Sequence, residues 1–174
     1  MKHLVKFFVV TFLLLICTYA SAEQKVAYLD MKFVLNNSKA GKGAQDFLQK
    51  SFKENQKNFL DEENALKKEE NDLLAQKTIL TKEEYQKRSD DLRKKVIDYQ
   101  SQRRISFENI TTQRAEARQK LLEKLDPIMK TYIKENDISL IIDRKNVLMG
   151  NTNLDITNAI VEKLNKELPS LSIK

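Results

Sequence analysis

The longest pattern of apolar and polar positions in the chain is a seven-residue repeat near its centre. Apolar residues recur every seven positions at Phe52, Phe59, Leu66, Leu73 and Leu80. A two-stranded coiled coil needs a second apolar position in each heptad. That second position is apolar at Leu48 but polar at Asn55, Glu62, Glu69 and Gln76. The pattern predicts a helix whose packing stripe is only half apolar. We call this stripe, formed by the two heptad positions, the seam.

A second, more continuous apolar stripe follows it. Its members recur mostly at helical spacings of three and four, with polar interruptions at Arg103 and Arg114: Leu92, Val96, Tyr99, Ile110, Ala117, Leu121, Ile128 and Tyr132. No Gly or Pro occurs between Gly43 and Pro127, and residues 44–126 are rich in good helix formers. The stretch is therefore expected to form one very long helix or one helix folded back on itself.

Two local signals favour the folded-back form, with a turn near residues 78–82. Thr81 and Glu84 have the spacing of a capping box, which starts a new helix. Residues 61–72 hold six acids and two bases, whereas residues 87–98 hold five bases and three acids. A turn near residue 80 brings these segments together, and helices of about 35–40 residues give an arm of roughly 50–60 Å.

The two ends of the chain carry a different pattern. Lys25–Leu29 and the β-branched segment Ile138–Ile142 predict strands, and a turn over residues 143–146 leads to a third strand at Val147–Met149. Asp126 and Pro127 predict a kink or a fresh helix start, with Asp126 as cap. A last amphipathic helix is expected to begin within Asp155–Thr157, to use Ile156, Ile160, Val161, Leu164 and Leu168, and to end at Pro169.

The expected fold is mainly α with a small α+β body, into which a long antiparallel helical hairpin is inserted. The body takes residues 23–42 and 127–174, and the arm takes residues 43–126. A core of about 60 residues is marginal alone, and association through the sheet would both stabilise it and cover its edges. The candidates for the body core or the subunit interface are Val26, Tyr28, Leu140, Ile142 and Val147.

The first 22 residues have the pattern of a secretory signal peptide. Lys2 and Lys6 precede the apolar run Phe7–Ile16, and cleavage is expected after Ala22, at the end of Ala20-Ser21-Ala22. A lipoprotein signal acylated at Cys17 is the alternative. Ile16, before Cys17, is large where lipid modification needs a small residue, and the small-residue site ends at Ala22, five residues beyond Cys17.

Cleavage removes the only Cys and the only His, Cys17 and His3. The mature chain then has no thiol, imidazole or disulfide, and no nucleotide-binding glycine motif. No catalytic residue, metal ligand or cofactor is predicted, so we expect a protein that is not an enzyme. The net charge falls from +6 to +4, and residues 44–126 hold 18 bases against 17 acids. This balance argues against a nucleic-acid partner.

Several segments together resemble the Skp/OmpH family of periplasmic chaperones. They are Lys25–Asp30, Val34–Asn36, Gly41-Lys42, the charged hairpin with Leu80–Glu84 at its tip, Ile138–Asp143, Val147-Leu148 and Leu154–Thr157. The resemblance implies a periplasmic homotrimer whose bodies join through their sheets and whose three arms enclose a cavity. It implies that unfolded outer-membrane proteins are held there without ATP until delivery to the outer membrane. Some family members bind lipopolysaccharide, so lipopolysaccharide or another anionic lipid is a further candidate partner. The sequence shows no compact basic cluster that would bind lipopolysaccharide.

The candidate client-contact residues lie on the arm: Phe52, Phe59, Leu66, Leu73, Leu80, Tyr85, Lys87 and Arg88. The competing interpretation is that the apolar members only pack the hairpin and that the basic members form a solvated face paired with the opposite helix. The alternative function is a structural coiled-coil spacer or tether of the envelope. That function predicts a continuous apolar seam and no terminal α+β body.

Overall fold

The computed structural model describes residues 25–173, and the predicted signal peptide lies outside them. The elements in chain order are β1 (Lys25–Leu29), α1 (Met31–Asn37), α2 (Lys39–Ala75), α3 (Lys82–Glu135), β2 (Ile138–Asp143), two 3₁₀ turns (Arg144–Asn146 and Thr152–Leu154) and α4 (Thr157–Glu167). Helices α2 and α3 form the predicted hairpin, and the remaining elements form the body. Within residues 25–173, no helix has the length and hydropathy needed to span a bilayer.

The sheet has two parallel strands, and both were predicted. Val26 lies opposite Leu140, and Tyr28 lies opposite Ile142. Parallel neighbours need a long crossover connection, and here that connection is the whole hairpin. The other edge of β1 contacts the segment before α4, where the Ile156 amide donates to the Tyr28 carbonyl at 3.0 Å.

The predicted third strand at Val147–Met149 is wrong. Asp143 ends β2 and turns the chain, because its carboxylate accepts a hydrogen bond from the Lys145 amide at 3.1 Å. The Val147 amide donates to the Arg144 carbonyl at 3.0 Å and closes a 3₁₀ turn instead of joining a sheet. Leu148 and Met149 consequently project into solvent.

A fresh helix start at Pro127, with Asp126 as its cap, is also wrong, because α3 continues through both residues. Asp126 instead forms an ion pair with Lys130, one turn later, at 2.6 Å. Proline costs a helix one backbone hydrogen bond. Leu125 and Ile128 on either side of it are buried in the core, and their burial offsets that loss.

The body core lies where the base of the hairpin meets the sheet and α4. Its most buried members include Leu29 of β1, Val34 of α1, Leu125 of α3, and Ile160 and Leu164 of α4. Helix α4 forms as predicted, with its apolar face on this core. The core therefore depends on residues from both ends of the chain, as expected for a body interrupted by an insertion.

Helix α1 is an element that the sequence analysis missed. Asp30 caps it, accepting a hydrogen bond from the Phe33 amide at 2.8 Å. The backbone amide of Asp30 donates to the hydroxyl of Thr157 at 2.9 Å, which ties β1 to the start of α4. Ser38 alone separates α1 from α2, and its buried hydroxyl accepts a hydrogen bond from the Gly41 amide at 3.1 Å.

Candidate functional site

The tip of the hairpin lies where the capping box predicted it. Helix α2 ends at Ala75 and α3 begins at Lys82. The Glu84 amide donates to the Thr81 hydroxyl at 3.2 Å, and the Thr81 amide donates to the Glu84 carboxylate at 3.1 Å. The Glu84 carboxylate accepts hydrogen bonds from the Thr81 amide and the Thr81 hydroxyl, and these two bonds lower the pKa of the carboxyl. The reciprocal bonds satisfy donors at the helix N-terminus and fix the direction in which α3 returns.

Aromatic contacts join the two helices of the arm in two layers. The rings of Phe52 and Phe107 lie 5.7 Å apart, and those of Phe59 and Tyr99 lie 6.0 Å apart in an edge-on arrangement. Separations of this size fall within the range of favourable aromatic pairs. Two of the heptad residues thus pack against the opposite helix, as the competing interpretation of the stripe predicts.

Polar contacts between the two helices alternate with these aromatic layers, so the seam is not continuously apolar. The Asn55 side-chain amide donates to the Ser106 hydroxyl at 2.7 Å. Nearer the tip, the Lys95 ammonium pairs with Glu69 at 2.6 Å. This pair joins the acidic and basic segments that were predicted to face each other. The structure therefore bears out a seam made of aromatic and polar steps rather than of continuous apolar packing.

Glu63 and Tyr99 form a further, partly buried polar contact between the two helices. The Tyr99 hydroxyl donates to the Glu63 carboxylate at 3.2 Å. The pKa of Glu63 is lowered, mainly by its hydrogen bond and charge interaction with Lys67. The pKa of Tyr99 is raised, first by burial and then by the negative charge of Glu63. Both shifts favour the carboxylate and the neutral phenol, which are the forms that this hydrogen bond requires.

Helix α2 buries very little along the arm. All of α2 is described, and between Leu48 and Leu73 it has no buried residue. Large apolar side chains are exposed along both helices and the tip, at Phe47, Phe52, Leu60, Leu74, Ile79, Ile97, Ile105 and Leu122. Most are interspersed with charged residues, and Ile79 in the tip turn is 81% exposed. The arm thus presents a discontinuous apolar surface that its own packing leaves uncovered.

The structure places the candidate client-contact residues at different depths. Leu73 is buried in the seam, whereas Phe59, Leu66, Leu80 and Tyr85 are half-buried and Phe52 lies near its edge. The Lys77 ammonium lies 6.0 Å from the centre of the Tyr85 ring. Arg88 donates to the Gln76 side chain across the tip at 2.8 Å, and Lys87 is exposed. Ile79, Ile97 and Ile105 were not predicted, because they lie outside the heptad positions of the apolar stripe.

The candidates from the body lie on the sheet or in the turn that follows it. Val26 and its partner Leu140 are both exposed on the outer face of the sheet, and Leu140 is 54% exposed. Ile142 and Val147 are half-buried. Tyr28 is buried, and the loop that holds Gly150 lies against its ring. Within residues 25–173, no group of three or more His, Cys, Asp or Glu residues is placed to hold a metal ion.

The protein consists of a small α+β body and a charged helical hairpin that exposes apolar side chains. This architecture defines the class of helical-arm proteins, in which the exposed surface of the arm is the candidate site. Residues 25–164 match the family described as Outer membrane protein (OmpH-like). The chain belongs to this OmpH-like family, which confirms the resemblance found in the sequence.

Two known proteins are similar over nearly the whole chain. A Skp-like protein of Pseudomonas aeruginosa is 24% identical over 166 residues, which are 95% of this chain and 99% of that protein. The crystal structure of a candidate outer membrane chaperone (OmpH-like) from Caulobacter crescentus superposes with a TM-score of 0.81 at 20% identity. That match covers 90% of this chain and 93% of the other, and it shows that the two share a fold.

Proposed function

We propose that this protein is an ATP-independent holdase chaperone that binds unfolded outer-membrane proteins in the periplasm and keeps them soluble for delivery to the outer membrane. The observation that carries this proposal is the uncovered apolar surface of the arm, where Leu60, Ile79, Ile97 and Ile105 remain exposed. An arm built only as a spacer would gain stability by burying such side chains in a continuous seam. The Caulobacter crescentus protein that shares this fold is described as an outer membrane chaperone (OmpH-like), which supports the same conclusion.

The physical match is between this surface and an unfolded barrel protein. Transmembrane barrel strands alternate apolar and polar residues, and in water their unpaired edges aggregate. A holder must compete with aggregation and still release its client. Scattered side chains such as Leu60 and Ile97 each bind weakly, and several contacts on one chain add affinity through effective concentration. Surrounding charges keep the arm itself in solution while no client is bound.

The proposed assembly is a homotrimer joined through the outer face of the sheet. Val26 and Leu140 form an exposed apolar pair on that face, and Leu148 and Met149 project from the neighbouring loop. Exposed apolar surface of this kind marks contact sites when it is contiguous. Three bodies joined there would hold three arms around one space, so that a client contacts several arms at once.

The test is whether the mature chain suppresses aggregation of an outer-membrane barrel protein diluted out of urea, without nucleotide. Light scattering should stay low with the wild-type chain. The variant Leu60→Ser/Ile97→Ser/Ile105→Ser should protect much less, because it removes exposed apolar contacts without touching buried ones. The control variant Lys57→Ser/Lys94→Ser/Gln102→Ser changes exposed polar residues of the same helices and should still protect. Aggregation with wild type as fast as without it would contradict the proposal and favour the spacer.

A further inference from the structure

A groove of about 560 Å³ lies at the base of the arm, between α1, α2 and α3. Its floor contains the buried side chains of Leu35, Leu48 and Leu121. Ala44 and Ala117 also line it, and their small side chains leave room between the helices. The groove therefore has room for an apolar side chain from another polypeptide, and its apolar floor suits such a side chain.

The two rims of this base groove differ in charge. Arg114 and Arg118 lie one helical turn apart on the α3 rim; both are exposed, and neither has an ion pair within residues 25–173. The opposite rim is neutral, and there the Gln45 amide donates to Asn36 at 2.9 Å. Among the described residues, no acidic residue lines the groove. Two guanidinium groups thus stand beside an apolar floor without a carboxylate partner.

The charge along the arm is also asymmetric. Residues 101–125, which include the arginine rim, hold six bases and three acids. Residues 61–100, which form the outer half of the arm, hold nine bases and eleven acids. A negatively charged segment is therefore attracted to the base of the arm rather than to its tip, over a range of about 10 Å at ordinary salt.

We propose that the base groove binds an extended client segment in which an apolar side chain stands next to a carboxylate. The apolar side chain fills the floor over Leu48 and Leu121, and the carboxylate binds Arg114 and Arg118. Guanidinium groups suit this role because they bind carboxylates through two parallel hydrogen bonds. The inference rests on the proposed holdase function and adds a preferred segment chemistry and a defined place on the arm.

The test uses a peptide with its own fluorescence, because the chain contains no Trp. The probe is an acetylated and amidated ten-residue peptide with one Trp followed by two Asp in a Gly/Ser background. Its emission should shift to shorter wavelength on binding the mature protein. Arg114→Gln/Arg118→Gln should weaken binding about tenfold, the scale expected for losing charge-assisted hydrogen bonds at an exposed site. Replacing both Asp of the peptide by Asn should weaken binding to a similar degree.

The matched control is Lys120→Gln/Lys124→Gln, which removes two charges from the same helix outside the groove. This control should change the affinity for the peptide less than about threefold, because only screened long-range attraction is lost. Equal weakening by the two variants would overturn the inference in favour of overall charge. Absence of any spectral shift at millimolar protein would overturn it too. So would a changed assembly mass of Arg114→Gln/Arg118→Gln without peptide, which would show that a second copy occupies the groove. Barrel-protein holding is measured in parallel: if wild type holds but does not bind the peptide, only this inference fails.

Discussion

Gly41, near the start of α2, lies directly against the backbone carbonyl of Leu35 in α1. A Cβ added at Gly41 would overlap that carbonyl oxygen, and the oxygen belongs to the backbone, so it cannot move aside as a side chain would. The close approach allows Ser38 alone to connect the two helices. The contact fixes how the arm leaves the body, and it explains physically why this position needs glycine.

We expect Gly41→Ala to destabilise the protein by about 1–3 kcal/mol, the usual cost of forcing an atom into a packed site. Gly43 is the matched control, because a Cβ there would meet nothing within 4 Å. Gly43→Ala should stabilise by about 0.5–1 kcal/mol, since alanine is the better helix former. Urea unfolding followed by circular dichroism measures both. Equal effects of the two substitutions would show that the Leu35 contact does not matter.

The capping box at the tip predicts a pH dependence. The pKa of Glu84 is lowered because its carboxylate accepts hydrogen bonds from the Thr81 amide and hydroxyl. A carboxylate with a lower pKa in the folded than in the unfolded chain stabilises the fold above its unfolded pKa. That contribution is lost as pH falls through the folded pKa. Thr81→Ala should therefore raise the pKa of Glu84. The difference in unfolding free energy between wild type and Thr81→Ala should become smaller as pH falls through the folded pKa of Glu84.

Carboxyl-carbon NMR titration of Glu84 in both proteins measures the pKa change directly. At neutral pH, losing the Thr81 hydroxyl should cost about 1 kcal/mol, as for other caps. Thr81→Ser retains a hydroxyl that can donate to the Glu84 carboxylate and serves as the control, so its Glu84 titration should match that of wild type. A titration of Glu84 that is the same in Thr81→Ala would mean that the hydroxyl contributes nothing to the low pKa.

The sequence predicted the arm well because its signals are local. The absence of Gly and Pro over residues 44–126 and the Thr81–Glu84 spacing act within one helix or one turn, so no tertiary information was needed. The position of the turn and the two strands that contain Val26 and Leu140 were predicted on the same basis.

The errors arose where local preference and tertiary context disagreed. Val147–Met149 has the composition of a strand, but the turn formed by Asp143 leaves it without a partner strand. Pro127 has the local signature of a helix start, but the helix continues through it because burial of Leu125 and Ile128 offsets the lost backbone hydrogen bond. The base groove was not predictable, because Leu35, Leu48 and Leu121 come together only when three helices meet.

Replacing one polar contact of the seam by apolar side chains tests whether the polarity of the seam is needed for holding clients. Asn55 and Ser106 hydrogen-bond to each other across the arm at 2.7 Å in a partly buried position. Replacing both, as Asn55→Leu/Ser106→Ala, exchanges a polar step for apolar packing and should raise the melting temperature. We expect the same variant to hold less unfolded barrel protein, because a more tightly closed arm makes fewer of its apolar side chains available.

The control for that experiment is Asn55→Ala, which removes the hydrogen bond without adding a large apolar side chain to the seam. It should lower stability by about 1 kcal/mol, because it leaves Ser106 without its partner, and it should leave holding intact. A double variant that is more stable and holds as well as wild type would show that seam polarity is not required for holding.

The proposed trimer depends on the exposed apolar pair of the sheet, so one charge placed there should prevent assembly. In Leu140→Asp, association would bury a carboxylate without a partner, which costs several kcal/mol per ion. The folded chain should tolerate the change, because Leu140 is 54% exposed. Native mass spectrometry should therefore give three chains for wild type and one for Leu140→Asp. Ile105→Asp, an exposed apolar residue on the arm, should remain three chains. A one-chain mass for wild type would contradict the trimer, whereas a three-chain mass for Leu140→Asp would place the interface away from this face.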